Sequence, residues 1–161
     1  MTLLRSVGVA ALFLTTVALP RASAETPDSW ADWRSASFTS LGDATGLPHI
    51  TTTAIVRAKD GTTWIGTRGG LTRYDGQRVR AFKQVSTDRG SLPDNYVRAL
   101  LPLDDGGILI GTNVGGVARF DPRTGRFVRL SPAHGHIGWR ISGFAPDGAG
   151  GAFIASEEGI H

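Results

Sequence analysis

The feature that most restricts the fold is an internal repeat with a period of about 45 residues. The matching segments are Gly46-Leu47-Pro48 with Ser91-Leu92-Pro93, Asp60-Gly61 with Asp105-Gly106, Trp64-Ile65-Gly66-Thr67 with Leu109-Ile110-Gly111-Thr112, and, after one inserted residue, Gly69-Gly70-Leu71 with Gly115-Gly116-Val117 and Arg73-Tyr74-Asp75 with Arg119-Phe120-Asp121. A third, weaker copy begins near His136 and places Phe153-Ile154-Ala155-Ser156 at the Trp-Ile-Gly-Thr position. The sequence therefore contains two full copies and one partial copy of a single unit.

Each copy consists of short apolar or alternating runs separated by Asp, Gly and Pro, which indicates small antiparallel strands joined by hairpins. The predicted strands are residues 53–57, 63–66, 71–74 and 79–83 in the first copy, and 96–101, 108–111, 117–120 and 126–130 in the second. Four strands in 40 to 45 residues are typical of a β-propeller blade. We therefore predict an all-β fold of four-stranded antiparallel blades, with about three blades present and the ring incomplete.

The combination of these motifs resembles the two-component regulator propeller repeat. The residues that carry the resemblance are Leu92-Pro93-Asp94-Asn95, Asp60-Gly61, Trp64-Ile65-Gly66-Thr67, Gly69-Gly70-Leu71 and Tyr74-Asp75. The family implies the extracytoplasmic sensor region of a membrane histidine kinase, hybrid two-component sensor or diguanylate cyclase, in which many blades close a ring. The third copy departs from the pattern, because Phe153 replaces Trp, Ala155 replaces Gly, and residues are inserted at Ala149-Gly150.

The N-terminal residues predict export. Arg5 supplies a positive charge, residues 7–19 form an apolar run, and Ala22-Ser23-Ala24 forms a small-x-small cleavage signal. The run is shorter than the approximately 20 apolar residues of a membrane-spanning helix. We therefore expect residues 1–24 to be a signal peptide and the rest of the chain to be periplasmic, with an uncleaved anchor as the alternative.

The repeat also predicts the domain boundaries. Residues 25–45 form an N-terminal segment with an outer strand at 38–41, and residues 46–90, 91–135 and 136–161 form the first, second and truncated third blades. The resemblance to the propeller family implies that strand 38–41 completes the last blade of the ring. Closed propellers need about four to eight blades. We therefore expect the chain to be the N-terminal piece of a longer receptor, anchored in the inner membrane, with the remaining blades and downstream domains as partners and a homodimer as a possible assembly of the full-length form.

Composition excludes several kinds of chemistry. The chain has no Cys, which rules out disulfides, thiol nucleophiles and cysteine-ligated metals. Arg5 and Arg21 lie in the predicted signal peptide, and without them the formal net charge falls from +3 to +1. A net charge this small does not indicate nucleic-acid binding. His134-x-His136 lacks a completing ligand, and Asp104-Asp105-Gly106-Gly107 lacks the spacing of a calcium loop. We therefore expect no metal, no cofactor and no catalytic residue, and we interpret the Asp-Gly and Gly66-x-x-Gly69-Gly70 segments as turns.

A ligand site is expected where residues vary between copies but share one face. Loops that enter the first strand and loops between the second and third strands emerge on the same face, and they carry His49, Arg68, Tyr96, Asn113, Trp139, Arg140 and Glu157. Aromatic and polar side chains of this kind suit an oligosaccharide or a small metabolite. The residues expected to be structural are Trp64, Gly66, Gly70, Asn95, Leu109, Gly111, Gly116 and Phe153. Trp64, Leu109 and Phe153 are expected to pack between blades, and Asn95 to bond nearby backbone.

Three functional classes follow from the sequence. An extracytoplasmic ligand-sensing module is favoured by the resemblance and the export signal. A secreted propeller lyase or glycosidase would need paired acid and base groups, for which adjacent Glu157-Glu158 is the sole candidate, and neighbours on a strand point to opposite faces. A repeat scaffold without a small-molecule ligand is the third class.

Overall fold

The computed structural model describes residues 46–130 and 137–161, together with Ser37 and Ser40. The chain divides into two compact units, Met1–Phe38 and Thr39–His161, and the strands below all belong to the second. The predicted signal peptide, the predicted strand 38–41 and the pair His134 and His136 lie outside the described residues, apart from Ser40.

Eleven strands are present in the described ranges, and these ranges contain no helix. The strands are β1 Thr52–Arg57, β2 Thr63–Thr67, β3 Gly70–Tyr74, β4 Val79–Phe82, β5 Val97–Pro102, β6 Ile108–Thr112, β7 Val117–Asp121, β8 Arg126–Arg129, β9 Ile141–Pro146, β10 Ala152–Ser156 and β11 Gly159–Ile160. Each end of the eight predicted strands lies within one residue of the observed end. Over the same residues, no helix is long and apolar enough to cross a membrane.

The strands form three antiparallel sheets, each in chain order: β1 to β4, β5 to β8, and β9 to β11. The first strands lie next to one another, with β1 against β5 and β5 against β9. The fold is therefore a row of propeller blades with the first strands innermost, and the row is open. This confirms the predicted fold class.

Aromatic rings fill the space between the first and second blades. Trp64 is 3% exposed, and its ring centroid lies 4.9 Å from that of Phe120 and 5.9 Å from that of Phe82. Phe127 adds an edge contact to Phe82 at 5.5 Å. Burying large apolar side chains in this way is the main source of stability for blades that are too small to fold alone.

Leu109, the counterpart of Trp64, is buried against the third blade with Ile141 and Phe144. Phe153, the next counterpart, is 54% exposed, so the expectation that it is core is wrong for the described structure. The reason is its place in the row, because within the described residues no further sheet packs against the outer face of β10.

Asp residues close the hairpins at the end of each sheet where β1, β5 and β9 finish. Asp60 Oδ1 accepts the Thr62 N–H at 2.9 Å, and Asp105 Oδ1 accepts the Gly107 N–H at 2.9 Å. Asp147 Oδ1 accepts the Ala149 and Gly151 N–H groups, both at 2.8 Å. These contacts are Asx turns, as expected for Asp-Gly segments.

Candidate functional site

The same backbone hydrogen bond recurs at the other end of all three sheets. The N–H that follows the second strand donates to the carbonyl that precedes the first strand. The three bonds are Arg68 to Thr51 at 3.2 Å, Asn113 to Tyr96 at 3.0 Å and Glu157 to Arg140 at 3.1 Å. Because the bond is repeated, the loops that vary in sequence leave every blade at an equivalent place. We call this end of the three blades the loop face.

All seven predicted site residues lie on the loop face. His49 Nδ1 accepts the Thr51 N–H at 2.8 Å just before β1, and the Trp139 carbonyl accepts the Gly116 N–H of the second blade at 3.1 Å. The other five are Arg68, Tyr96, Asn113, Arg140 and Glu157. Their role in binding stays a prediction, but the geometry that was used to select them is present.

One contact crosses between blades. The Arg68 guanidinium carbon lies 5.4 Å from the centroid of the Tyr96 ring, so the turn after β2 of the first blade reaches the residue before β5 of the second. A guanidinium within about 6 Å of an aromatic face is attracted by the ring quadrupole. Two of the predicted residues, from different blades, therefore form one surface.

Buried Thr side chains shape the turns that carry Arg68 and Asn113. Thr67 Oγ1 donates to the Gly70 carbonyl at 2.8 Å and accepts the Gly69 N–H at 3.1 Å. Thr112 Oγ1 donates to the Gly116 carbonyl at 2.9 Å. Gly66-x-x-Gly69-Gly70 is thus a strand-connecting turn, as expected. Gly70 and Gly116 both have positive φ, which a residue with a Cβ adopts only with strain.

Asn95 holds the start of the second blade to the end of the first. Its Oδ1 accepts the Gln84 N–H at 2.7 Å. The partner is backbone, as expected, although it lies 11 residues earlier in the chain.

Glu157 and Glu158 form the turn between β10 and β11 rather than part of a strand. The expectation that they point to opposite faces because they are strand neighbours is therefore wrong. The Glu158 N–H donates to Ser156 Oγ at 3.1 Å, which repeats the Thr–Gly contact of the other blades. The pair is part of the turn architecture.

At the opposite end, a cleft of about 360 Å³ lies between the second and third blades and is lined in part by Asp104 and Asp105. Asp105 is engaged by the Gly107 N–H and by Arg119, which together hold its pKa below the ordinary value, and Asp104 pairs with Lys59 at 2.8 Å. No group of three His, Cys, Asp or Glu residues suited to a metal ion occurs in the described chain. The Asp104-Asp105 segment thus serves as a turn and an ion-pair partner.

The comparison with protein families identifies the repeat. Residues 91–114, which run from the segment before β5 to the turn after β6, match the two component regulator propeller model. Residues 91–114 therefore carry the two-component regulator propeller repeat. No curated protein sequence matches the chain.

Two solved structures share the fold of these propeller repeats. The extracellular domain of BT3049 from B. thetaiotaomicron, described as a hybrid two component system, is 22% identical with a TM-score of 0.57, over 77% of this chain and 16% of that one. The extracellular domain of BT4673 from the same organism, described as a one component system, is 23% identical with a TM-score of 0.62. That match covers 75% of this chain and 18% of the BT4673 chain. This chain thus spans less than a fifth of either structure.

Sequence reasoning missed one residue of the loop face, Arg98. Its guanidinium carbon lies 5.6 Å from the Tyr96 centroid, and its Nη1 donates to Asn113 Oδ1 at 3.3 Å. Arg98 lies at a β-bulge, because Val97 pairs with Thr112 and Ala99 pairs with Gly111. The first and third repeats shift register at the equivalent residues, Thr53 and Ser142. The equivalent position is Thr53 in the first repeat, Arg98 in the second and Ser142 in the third. This variation between repeats is the sequence signal that could have identified Arg98 as a candidate site residue.

Proposed function

We propose that this chain is the first part of an exported ligand-sensing propeller, and that its loop face binds a small molecule or an oligosaccharide. The single observation that carries the proposal is the contact between Arg68 and Tyr96, two variable residues brought together from different blades. Variable polar and aromatic side chains on a regular scaffold are typical of binding faces.

The place of the module in a receptor is part of the proposal. The leader 1–24 directs export, and the blades 46–90, 91–135 and 136–161 join further blades of the same receptor, one of which takes strand 38–41 from the segment 25–45. A membrane anchor and a kinase or cyclase output domain follow. Support comes from the family of the repeat and from two structures of the same fold whose descriptions name extracellular domains of one- and two-component systems.

A ligand that touches both Arg68 and Tyr96 contacts two blades at once. It therefore favours whichever arrangement of the blades fits it best. The difference in its affinity for two arrangements is the free energy available as a signal. This couples binding at the loop face to the rest of a receptor without any catalytic step.

The test is a thermal-shift screen of the exported chain against small metabolites and oligosaccharides, followed by calorimetric titration of the hits. We expect Tyr96→Ala to weaken binding by about tenfold or more, as expected when an aromatic anchor is removed. Tyr74→Ala is the matched control, because Tyr74 lies at the other end of its sheet, with its hydroxyl donating to the Gly76 carbonyl at 2.8 Å. A screen without hits, or equal effects of the two substitutions, would overturn the proposal.

A further inference from the structure

We infer that the ligand of the loop face carries an anionic group, a carboxylate, sulfate or phosphate, which Arg68 and Arg98 bind beside the ring of Tyr96. The inference rests on the proposed function and adds the chemical class of the ligand. It comes from the charges on this surface and from the way the bulge in β5 presents one of them.

Two guanidinium groups share one aromatic ring. Arg68 and Arg98 lie 5.4 and 5.6 Å from the Tyr96 centroid, and they come from different blades. Among the described residues neither forms an ion pair, whereas Arg119, Arg123 and Arg126 pair with Asp105, Asp121 and Asp88. Like charges gathered at one place repel each other unless an anion lies between them. The arrangement thus favours a negatively charged ligand.

The bulge in β5 fixes the position of Arg98. The extra residue of a β-bulge has no ladder partner, and bulges redirect side chains next to functional sites. Asn113 Oδ1 accepts from Nη1 at 3.3 Å, while the Nε of Arg98 is buried and has no hydrogen-bond partner in the described structure. A buried guanidinium N–H without an acceptor is costly. The contact with Asn113 therefore holds the Arg98 side chain beside Tyr96, while its buried Nε is closed to a ligand from solvent.

The neighbouring carboxylate forms no ion pair with Arg68 or Arg98 among the described residues. Asp94 lies in the same loop, but its Oδ1 accepts the Tyr96 N–H at 3.2 Å and its Oδ2 accepts the Val114 N–H at 2.9 Å. Both oxygens therefore serve the backbone of the loop face.

Guanidinium groups recognise planar and tetrahedral oxyanions through paired N–H donors, and an aromatic ring adds a stacking surface for a cyclic ligand. A sugar acid or a sulfated or phosphorylated sugar combines both properties. A neutral sugar uses the ring but offers the two arginines no ion pair. The chemistry of the site therefore favours the acidic member of any pair of otherwise similar ligands.

The experiment is calorimetric titration of the full chain with glucuronate, glucose 6-phosphate, glucose 6-sulfate and glucose, with inorganic sulfate and phosphate as minimal anions. We expect at least one acidic sugar to bind about tenfold or more tightly than glucose, with an affinity that falls as NaCl is raised. We expect Arg98→Gln to lower the affinity for the acidic sugar by about tenfold or more, which is the usual effect of losing a charged hydrogen bond. Arg68→Gln, at an exposed position, gives the same direction of change without a risk to folding.

Arg129→Gln is the matched control, because it removes one exposed positive charge from β8. Equal weakening by Arg129→Gln and Arg98→Gln would overturn the inference, since net charge alone would then explain the preference. Equal binding of glucose and its acidic counterparts would overturn it too and leave the sensor proposal intact. If these probes and the wider screen all fail to bind, the proposed function fails and the inference fails with it. If the screen yields only neutral ligands, the inference alone is overturned.

Discussion

A Cβ atom on Gly111 would lie 2.5 Å from Cγ2 of Ile141, the first residue of β9 in the next blade. The equivalent Cβ on Gly66 would lie 2.7 Å from Cγ1 of Val97, the first residue of β5. Both distances are shorter than real Cβ contacts. The glycine of the Trp-Ile-Gly-Thr motif is therefore required by the approach of the following blade.

We expect Gly111→Ala to destabilise the chain by about 1 to 3 kcal/mol, the usual cost of extra volume in a packed interface. The measurement is the free energy of unfolding from urea denaturation. Gly143→Ala is the matched control, since Gly143 also lies in a strand, has no positive φ and has nothing within 4 Å of the position of an added Cβ. Equal destabilisation by the two substitutions would show that contact with the next blade is not the cause.

A second prediction concerns the equivalent residues Trp64 and Phe153. Trp64 is 3% exposed and packs against rings of the second blade, whereas Phe153 is 54% exposed. We expect Trp64→Ala to cost about 3 to 5 kcal/mol and Phe153→Ala less than about 1 kcal/mol. Thermal or urea unfolding of the two variants tests the difference. A loss for Phe153→Ala as large as that for Trp64→Ala would mean that another surface covers the Phe153 ring.

The blades were predictable from sequence because strand positions depend on local signals that occur in every copy. Asp60 and Asp105 terminate hairpins through their own side chains, and apolar runs mark the strands between them. Exposure of Phe153 was not predictable from its place in the repeat, because burial depends on the neighbouring blade as well as on the motif. Phe153 occupies the same place in the repeat as Trp64 and Leu109 but lies in the last described blade. It differs from them in having no further described blade packed against its side chain.

The candidate site was predictable in part. Strand alternation alone placed Arg68 and Tyr96 on one face, and the structure brings them within 5.4 Å. Arg98 was missed because simple alternation assigns each strand residue to one sheet face, and a bulge breaks that rule. The position of a bulge depends on how two strands pair, and the sequence of either strand alone does not encode it.

The turn aspartates make stability depend on pH. Backbone hydrogen bonds from Arg78 and Gln77 to Asp75, from Gly107 to Asp105 and from Arg123 to Asp121 hold the pKa of each carboxyl group below its ordinary value of 3.8. The Gly90 N–H, with Arg126, does the same for the pKa of Asp88. The unfolded chain therefore binds protons at a higher pH than the folded chain. The stabilisation from these groups is fully present well above the ordinary value of 3.8, weakens as the pH approaches that value, and is lost as the pH falls through the lower pKa values of the folded state.

We expect the titration of these groups to give no pH dependence near neutral pH, and the free energy of unfolding to decline as the pH is lowered from about 5 towards 2. Urea denaturation at each pH measures this decline. Asp105→Asn keeps an oxygen that accepts the Gly107 N–H but cannot titrate, so the decline becomes shallower. Asp104→Asn is the matched control, because it removes the adjacent charge and leaves the contacts of Asp105 with Gly107 and Arg119 in place. If Asp104→Asn flattens the decline as much as Asp105→Asn, the loss arises from general charge repulsion rather than from the hydrogen-bonded turn.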